Sequence, residues 1–230
     1  MSSRKKIIGV IIVTILILAL GMSVGDNDPK IRTSYQVLDD ARLGVNIEGV
    51  EEGDIIDLYC PDDDKVGSTT IDSEDMTKRL VGVIQAETEV TMTDEGNPSQ
   101  GDYTLVVDDS STEDPIYEEV LTFEGPDIQI TDADLGTEYD DDSDTWSITD
   151  LELKVDNHGD LSIFAVEADL IIGDEAESVG FNEELLPGET AEIKENISID
   201  IETGTHPIDI ELYSFDDEIA SYGAEVTIGE

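Results

Sequence analysis

Short runs in which apolar and polar residues alternate occupy most of this chain. Successive side chains of a β-strand point to opposite faces, so this alternation predicts half-buried strands. Clusters of turn-forming residues separate the runs, as in CPDDDK, DEGNPSQGD and DDSSTEDP. Beyond the N-terminal segment, only SEDMTKRL indicates the start of a helical turn, so the fold class is predicted to be mainly β. Three of the runs are Leu43-Val45-Ile47, Ile56-Leu58-Cys60 and Tyr103-Leu105-Val107.

The runs form two groups that meet at FEGPDIQIT, where Gly125 and Pro126 make a natural joint. Each group is about a hundred residues of short strands, a length and spacing typical of a β-sandwich. We therefore predict two domains, at residues 34–125 and 126–230.

The phase of the alternation changes within TWSITDLELKV. Trp146 and Ile148 have one parity, and the apolar residues from Leu151 onward have the other. A β-bulge or strand break near Thr149 and Asp150 would place both sets on the same face. In the next run, SIFAVEADLII, the predicted core face comprises Phe164, Val166, Ala168, Leu170 and Ile172.

Acidic residues are spread over the whole chain. Fifty-eight Asp and Glu against eleven Lys and Arg give a formal net charge of −47. Nucleic acid is excluded as a partner, because binding it needs a basic surface. At about 1 M salt the Debye length falls to roughly 3 Å, so concentrated salt relieves the repulsion. This composition resembles that of proteins from extremely halophilic archaea.

The N-terminus carries a separate signal. Arg4, Lys5 and Lys6 precede an uncharged apolar run at residues 7–24, which is just long enough to span a bilayer. The basic flank, residues 1–6, predicts a cytoplasmic N-terminus, with the remaining chain outside the cell. Residues 25–33 then form a linker, and the protein is predicted to be a single-pass protein of the cell membrane.

A cleaved signal peptide is the alternative interpretation of this segment. Ala19 and Gly21 provide small residues of the kind found at cleavage sites. The uncleaved anchor is favoured, because the apolar run exceeds the usual signal-peptide core of about 7–15 residues. The run IIGVIIVTILILAL also resembles the N-terminal helix of archaeal type IV pilins, although RKKII matches a pilin processing site poorly. A pilin-like or envelope filament subunit is therefore a further alternative.

Motifs in both halves resemble known extracellular modules. LELKVDNHGDL, LLPGET and GTHPIDIEL resemble the CARDB group of immunoglobulin-like modules, over roughly residues 127–229. GDYTLVVDD followed by IYEEVLTFEGP resembles a fibronectin-III or immunoglobulin-like sandwich of haloarchaeal surface proteins. These resemblances imply two tandem immunoglobulin-like β-sandwiches. They also imply an adhesive or spacer role, with a protein or cell-surface partner.

Residues that carry catalytic chemistry are scarce. His158 lies in the turn sequence DNHGD, His206 precedes Pro207, and neither adjoins a nucleophile in sequence. We predict turn or surface roles for both histidines. The sequence holds none of the common hydrolase, phosphate-binding or dinucleotide motifs. The prediction is a non-enzymatic protein without cofactor or metal. A secreted enzyme of the hydrolase class, whose site forms only in three dimensions, stays an alternative.

Two further residues have more than one interpretation. Cys60 shares its predicted face with Ile56 and Leu58, which indicates a small buried hydrophobe. As the single cysteine of the chain, it can form only an intermolecular disulfide. Asn196 begins a permitted N-glycosylation sequon, Asn-Ile-Ser, which is compatible with glycosylation.

The stretch YDDDSDTW places Asp140, Asp142 and Asp144 at alternate positions, as at the start of a calcium-binding loop. An EF-hand also needs Gly at its sixth position and Glu at its twelfth. Counted from Asp140, those positions hold Thr145 and Leu151. We therefore predict a solvated turn before the Trp146 strand and no saturable calcium site. Cation binding by another kind of carboxylate loop is the alternative.

Overall fold

The computed structural model describes residues 31–78, 84–93, 96–112, 115–141, 144–173 and 175–229. All regular elements within these ranges are antiparallel β-strands, which confirms the mainly β prediction. The predicted anchor at residues 7–24 lies outside them. In the ranges given above, no helix has the length and apolar character needed to cross a membrane.

The first half, residues 31–125, contains two four-stranded sheets that pack face to face. Sheet A has the strand order β1-β2-β6-β5, and sheet B has the order β4-β3-β7-β8. The described part of SEDMTKRL, residues 73–78, begins with a turn and then enters β5, so no helix forms over these residues. The strands are β1 (Arg32–Leu38), β2 (Arg42–Glu48), β3 (Ile55–Tyr59), β4 (Lys65–Thr70), β5 (Met76–Lys78), β6 (Ile84–Thr91), β7 (Gly101–Asp108) and β8 (Pro115–Phe123).

The second half, residues 126–229, is a second pair of packed sheets. Sheet C has the order β13-β10-β9, and sheet D has the order β12-β11-β14-β15. The strands are β9 (Ile128–Asp140), β10 (Thr145–Asn157), β11 (Ile163–Ile172), β12 (Glu175–Leu185), β13 (Thr190–Ile201), β14 (Gly204–Ser214) and β15 (Asp217–Ile228).

The alternating runs supply both cores. The apolar residues of β2 and β7 that alternation predicted to be buried all lie in the first core, as do two of the three from the β3 run. Cys60, the third, is only partly buried against that core. The confirmed residues are Leu43, Val45, Ile47, Ile56, Leu58, Tyr103, Leu105 and Val107.

The predicted irregularity in β10 is a β-bulge. Pairing with both neighbouring strands shifts between Ile148 and Asp150. Relative to β9, Thr149 is the extra residue, and it allows Ile148 and Leu151 to enter the same core although their sequence parity differs; they are 0% and 2% exposed. The structure therefore confirms the predicted bulge.

The predicted core face of β11 is partly wrong. Ala168, Leu170 and Ile172 are buried as expected. Phe164 and Val166 are only partly buried, because the pairing with β12 shifts between Ala165 and Glu167. Before this shift, the odd-numbered residues of the strand face the core, so Ile163 and Ala165 are buried there instead.

The strand directions separate two poles of the molecule. β9 starts beside the joint and is 13 residues long, so its far end at Asp140 lies roughly 40 Å away. β1 runs from Arg32 toward a turn at Asp40, whose backbone N–H donates to Glu184 of the second half. Arg32 therefore lies at the pole of the first half that faces away from the joint. The β9–β10 hairpin lies at the opposite pole.

Candidate interaction surface

A buried asparagine organises the turn between β10 and β11. The Asn157 side chain is 0% exposed. Its Nδ2 donates to the carbonyl oxygens of Leu161 and Leu185, at 2.8 and 2.9 Å. Its Oδ1 accepts from the backbone N–H groups of Gly159 and Asp127, at 2.9 and 3.3 Å. These bonds use the full hydrogen-bonding capacity of an amide side chain and hold the turn in one conformation.

The same turn is bonded to the joint between the halves. The Asp160 carboxylate accepts from the backbone N–H groups of Glu124 and Gly125, at 3.0 and 2.9 Å. The backbone of Asp160 donates to the Gly125 oxygen at 3.1 Å, and that of His158 donates to the Asp127 oxygen at 2.8 Å. The joint predicted at Gly125 and Pro126 is therefore fixed by hydrogen bonds on both sides.

Side chains also cross from each half to the other. Leu161 belongs to the second half but is fully buried in the core of the first. Asn97 of the first half donates from Nδ2 to Ser214 Oγ at 2.7 Å, and its Oδ1 accepts from the Phe164 N–H at 2.8 Å. With Glu184 bonded to the β1–β2 turn, these contacts restrain the orientation of the halves at three separate places.

Two of the motifs that carry the CARDB resemblance meet in this region. Gly188 of LLPGET donates its backbone N–H to the Asn157 oxygen at 2.7 Å. The Asn157 N–H in turn donates to the Glu189 oxygen at 3.0 Å. The DNHGD and LPGE turns therefore form one hydrogen-bonded unit at the end of the second half that adjoins the joint.

The two histidines lie at opposite ends of the second half. His158 is exposed in the turn beside the joint, as predicted. His206 is partly buried near the start of β14, and its Nε2 lies 2.8 Å from the Glu202 oxygen. The histidines therefore do not combine into one site.

The glycosylation sequon lies on an accessible strand. Asn196 and Ser198 are exposed on β13, which is an edge strand of sheet C, while the intervening Ile197 is buried. The side chains that define the sequon therefore point away from the core.

The grooves on the second half are acidic. One of about 300 Å³ runs between β12 and β13 and is lined by Glu175, Ala176, Glu177, Ser198, Ile199 and Asp200. A smaller one, of about 30 Å³, lies on the outer face of sheet C, where Lys154 and Lys194 pair with Glu192 and Glu152. Neither groove includes a histidine. Within the part of the chain that the structure describes, no three metal-ligating side chains come together.

The YDDDSDTW stretch forms the hairpin between β9 and β10. The Asp144 N–H donates to the Asp140 oxygen at 2.9 Å, and Asp144 adopts a φ of 59°. Asp is among the few residues other than glycine that tolerate this left-handed conformation. The prediction of a turn before the Trp146 strand is confirmed. Asp142 lies outside the described residues, and the absence of a calcium site stays a prediction.

Two aromatic rings lie beside this hairpin. Tyr139 and Trp146 are directly opposite in the β9–β10 pairing, with ring centroids 5.2 Å apart and planes at 44°. The Tyr139 hydroxyl donates to Asp144 Oδ1 at 2.5 Å, and this bond is the main reason that the pKa of Tyr139 is raised. We call Tyr139, Asp144 and Trp146 the distal tip. Tyr139 is 40% exposed there.

The indole of Trp146 is also contacted by Gly229, the residue that follows β15. A Cβ added to Gly229 would lie 3.0 Å from Trp146 Nε1 and 2.8 Å from Thr203 Cγ2. Gly229 therefore packs closely against the nitrogen edge of the indole. This contact and the Tyr139 ring hold Trp146 in place while part of its surface stays accessible.

Comparisons with known proteins give no family assignment. No family model matches the sequence, and no curated protein matches it. Among solved structures, the chain is similar to a GH2 β-galacturonidase from Eisenbergiella tayi, with 14% identity and a TM-score of 0.37 over 81% of this chain and 36% of that one. It is also similar to a β-glucuronidase of glycoside hydrolase family 2, with 11% identity and a TM-score of 0.37 over 84% of this chain and 25% of that one.

A third similar structure is red sea bream transglutaminase, with 9% identity and a TM-score of 0.28 over 87% of this chain and 31% of that one. The chain therefore spans between 25% and 36% of the length of these proteins. At such identities and TM-scores, the similarity gives no information about activity.

Proposed function

We propose that this chain is a non-enzymatic interaction or structural module that residues 7–24 anchor at the outer face of the cell membrane. Its environment is hypersaline, and its partner is a protein or another component of the cell surface. The net charge of −47 supports the hypersaline environment, because concentrated salt screens the self-repulsion that would otherwise oppose folding. The basic flank before the apolar run supports the orientation.

The proposal includes an immunoglobulin-like fold for each half, with a CARDB-like second half. In the first half, strand orders β1-β2-β6-β5 and β4-β3-β7-β8 correspond to the ABED and C′CFG sheets of that fold. In the second half, β13-β10-β9 and β12-β11-β14-β15 correspond to EBA and C′CFG. Both correspondences support the assignment.

We call the contacts that Asn97, Asp160, Leu161 and Glu184 make between the halves the junction, and these contacts carry the proposed role. Domains joined in one chain usually move relative to each other unless their interface is large or specific. Here the Asp160 carboxylate accepts hydrogen bonds from the backbone of the joint, and Leu161 is buried in the core of the first half. Asn97 forms hydrogen bonds with two residues of the second half. A spacer built in this way holds its distal tip at a fixed distance from its N-terminal pole.

A distance measurement between the halves tests this rigidity. Spin labels are attached at Ser34→Cys and Ser198→Cys, two exposed positions, in a Cys60→Ser background. Electron–electron double resonance should give one narrow distance distribution. Asp160→Ala combined with Leu161→Ala should broaden it, because the variant loses both the hydrogen bonds to the joint and the shared core contact.

Asp169→Ala is the matched control for this experiment. Asp169 also accepts a side-chain hydrogen bond, from Ser178, but both residues belong to the second half. The control should keep the narrow distribution. A broad distribution in the protein without junction substitutions would contradict the rigid-spacer role.

Membrane topology needs its own experiment. Protease added to intact cells should digest both halves if the chain beyond about residue 25 faces outward. Intact mass of the membrane-extracted protein distinguishes an uncleaved anchor from a cleaved signal peptide. A mature N-terminus just before the apolar run would favour the filament-subunit alternative. Survival of both halves, while a control ectodomain is digested, would reverse the proposed orientation.

A further inference from the structure

We infer that the distal tip binds the guanidinium group of an arginine on a partner protein. This inference rests on the proposed interaction role and assigns a location and a chemistry to it. The tip combines two aromatic rings with a carboxylate at the pole opposite Arg32. It gives Tyr139, Asp144 and Trp146 a role other than calcium binding.

Exposure distinguishes Tyr139, one ring of this pair, from most of the described surface, while Trp146 is partly buried. Among described residues, the large apolar side chains that are clearly exposed are Ile116, Val120, Tyr139 and Phe215. Phe215 lies beside Gly96 at the junction, while Ile116 and Val120 are aliphatic. Tyr139 alone of the four stacks on another aromatic ring. Tyr and Trp are enriched among the residues that dominate binding energy in protein interfaces.

The charges around the pair select a cation. Asp144 is bonded to the Tyr139 hydroxyl, and Asp140 also raises the pKa of Tyr139 through its charge. Both aspartates are exposed. A cation over an aromatic face is attracted by the electron density of the ring, and a hydroxyl that donates to a carboxylate leaves that ring richer in electrons. An anionic ligand would be repelled by the same groups.

Arginine fits this surface better than lysine does. In molar salt, ion pairs between exposed groups are screened beyond roughly 3 Å, so charge alone gives little affinity. A guanidinium is planar and weakly hydrated, stacks on aromatic faces and donates to a carboxylate at the same time, whereas an ammonium is compact and strongly hydrated. The combination of Trp146, Tyr139 and Asp144 therefore matches arginine in both shape and hydrogen bonding.

The single tryptophan provides the measurement. Trp146 is the chain's only tryptophan, so intrinsic tryptophan fluorescence reports on the distal tip alone. The probe is the acetylated and amidated tripeptide Gly-Arg-Gly, titrated at constant molar salt. A saturable change in fluorescence is expected. Gly-Lys-Gly should bind about tenfold more weakly, and Gly-citrulline-Gly, which is neutral and nearly isosteric with the arginine peptide, should give no saturable change.

Variants separate the aromatic contribution from that of the carboxylate. Tyr139→Leu should weaken binding about tenfold, and Asp144→Asn should weaken it severalfold. Tyr139→Phe keeps the ring and should bind better than Tyr139→Leu. Tyr213→Leu is the matched control, because the Tyr213 hydroxyl also donates to a carboxylate, Glu211, at 2.6 Å, but it belongs to no ring pair. Its binding should be unchanged. Circular dichroism confirms that each variant is folded.

Three results would overturn the inference. The first is the absence of any saturable change with the arginine peptide. The second is equal binding of the citrulline peptide, and the third is unchanged binding by both Tyr139→Leu and Tyr139→Phe. Each of these outcomes is independent of the spin-label distances, so the distal-tip inference can fail while the rigid-spacer role stands, and the reverse also holds.

Discussion

Asn157, Gly159 and Asp160 lie within a single turn, and each contacts its surroundings in a different way. Asn157 fixes the turn internally, Asp160 bonds to the backbone of the joint, and Gly159 leaves room for the two backbones to meet. A Cβ on Gly159 would lie 2.2 Å from the Gly125 oxygen, a distance that real contacts do not reach. Glycine is required at this position by the close approach.

Gly159→Ala is therefore expected to lower the free energy of unfolding by about 2 kcal/mol, because the added methyl group must displace backbone. Chemical denaturation of residues 30–230 measures the effect. Gly180→Ala is the control, because the nearest atom to an added Cβ there is the Val166 oxygen at 3.9 Å. The control should be neutral or slightly stabilising. Equal effects of the two substitutions would contradict the importance of the close approach.

Tyr103 has a buried hydroxyl that the fold leaves unsatisfied. Its side chain is 0% exposed. The backbone of Ser99 acts on its oxygen and partly opposes the pKa rise, but among the described residues no group meets that oxygen in hydrogen-bonding geometry. Burial raises the pKa of Tyr103 to about 12. Because the folded-state pKa lies above the ordinary value of 10.0, the resulting stability is present below about pH 10 and is lost as the pH rises toward 12.

Tyr103→Phe should remove that alkaline loss and raise the free energy of unfolding at neutral pH by about 1 kcal/mol, since an unsatisfied buried hydroxyl disappears. Denaturation curves from neutral pH to about pH 12, together with tyrosinate absorbance, measure both effects. Tyr139→Phe is the control at neutral pH, because it removes a hydroxyl that is already hydrogen-bonded to Asp144 and should therefore give no stabilisation. A destabilised Tyr103→Phe variant would indicate that the hydroxyl has a partner after all.

The strands differ in how far their sequences predicted their geometry. The bulge in β10 was predictable because Ile148 and Leu151 are separated by polar residues, so the change of parity is visible. The register shift between β11 and β12 was not, because the residues from Ile163 to Val166 are all apolar and either parity could face the core.

The junction and the distal tip also differ in how much of their structure could be predicted from the sequence. DNHGD predicted a turn, but its bonds to residues 124–127 leave no periodic pattern in the sequence. A turn beside Trp146 was predictable from YDDDSDTW. The stacking of Tyr139 on Trp146 depends on the hairpin register, which the sequence did not specify.

Deleting Thr149 tests the bulge in β10. Without the extra residue, Ile148 and Trp146 would turn to the outer face, because a shift by one residue reverses every side chain of a strand. We expect the second half to lose cooperative unfolding and the Trp146 fluorescence to resemble that of an exposed indole. Thr149→Ala keeps the residue count and should leave both properties nearly unchanged. A deletion variant that unfolds like the parent would show that the strand can adapt without the bulge.

At the scale of the whole molecule, the net charge of −47 predicts the salt conditions under which the chain folds. Few cations are present to offset the acids, and several of those described are already paired, such as Arg42 with Asp39 and Lys65 with Asp57. The excess negative charge is therefore opposed mainly by ions of the solvent.

We expect residues 30–230 to unfold at a clearly lower temperature, or to lose their β-sheet circular dichroism, when monovalent salt falls from molar to millimolar concentration. Mildly acidic pH should reduce the loss, because protonation removes part of the repulsion. Thermal melts over a matrix of salt and pH measure this. Melting curves that do not change with salt would contradict adaptation to a hypersaline environment.

The close packing of Gly229 against Trp146 has a practical consequence for detection of the protein. β15 runs from the junction toward the distal tip, so any tag or reporter fused after Ile228 leaves the fold beside the indole. Such a fusion would extend from the pole opposite Arg32, where an antibody can reach it on intact cells if the proposed orientation holds. The same fusion would crowd the distal tip and compete with its ligand. An epitope inserted at the exposed turn near Ser111, in the first half, would report surface display while leaving the tip unobstructed.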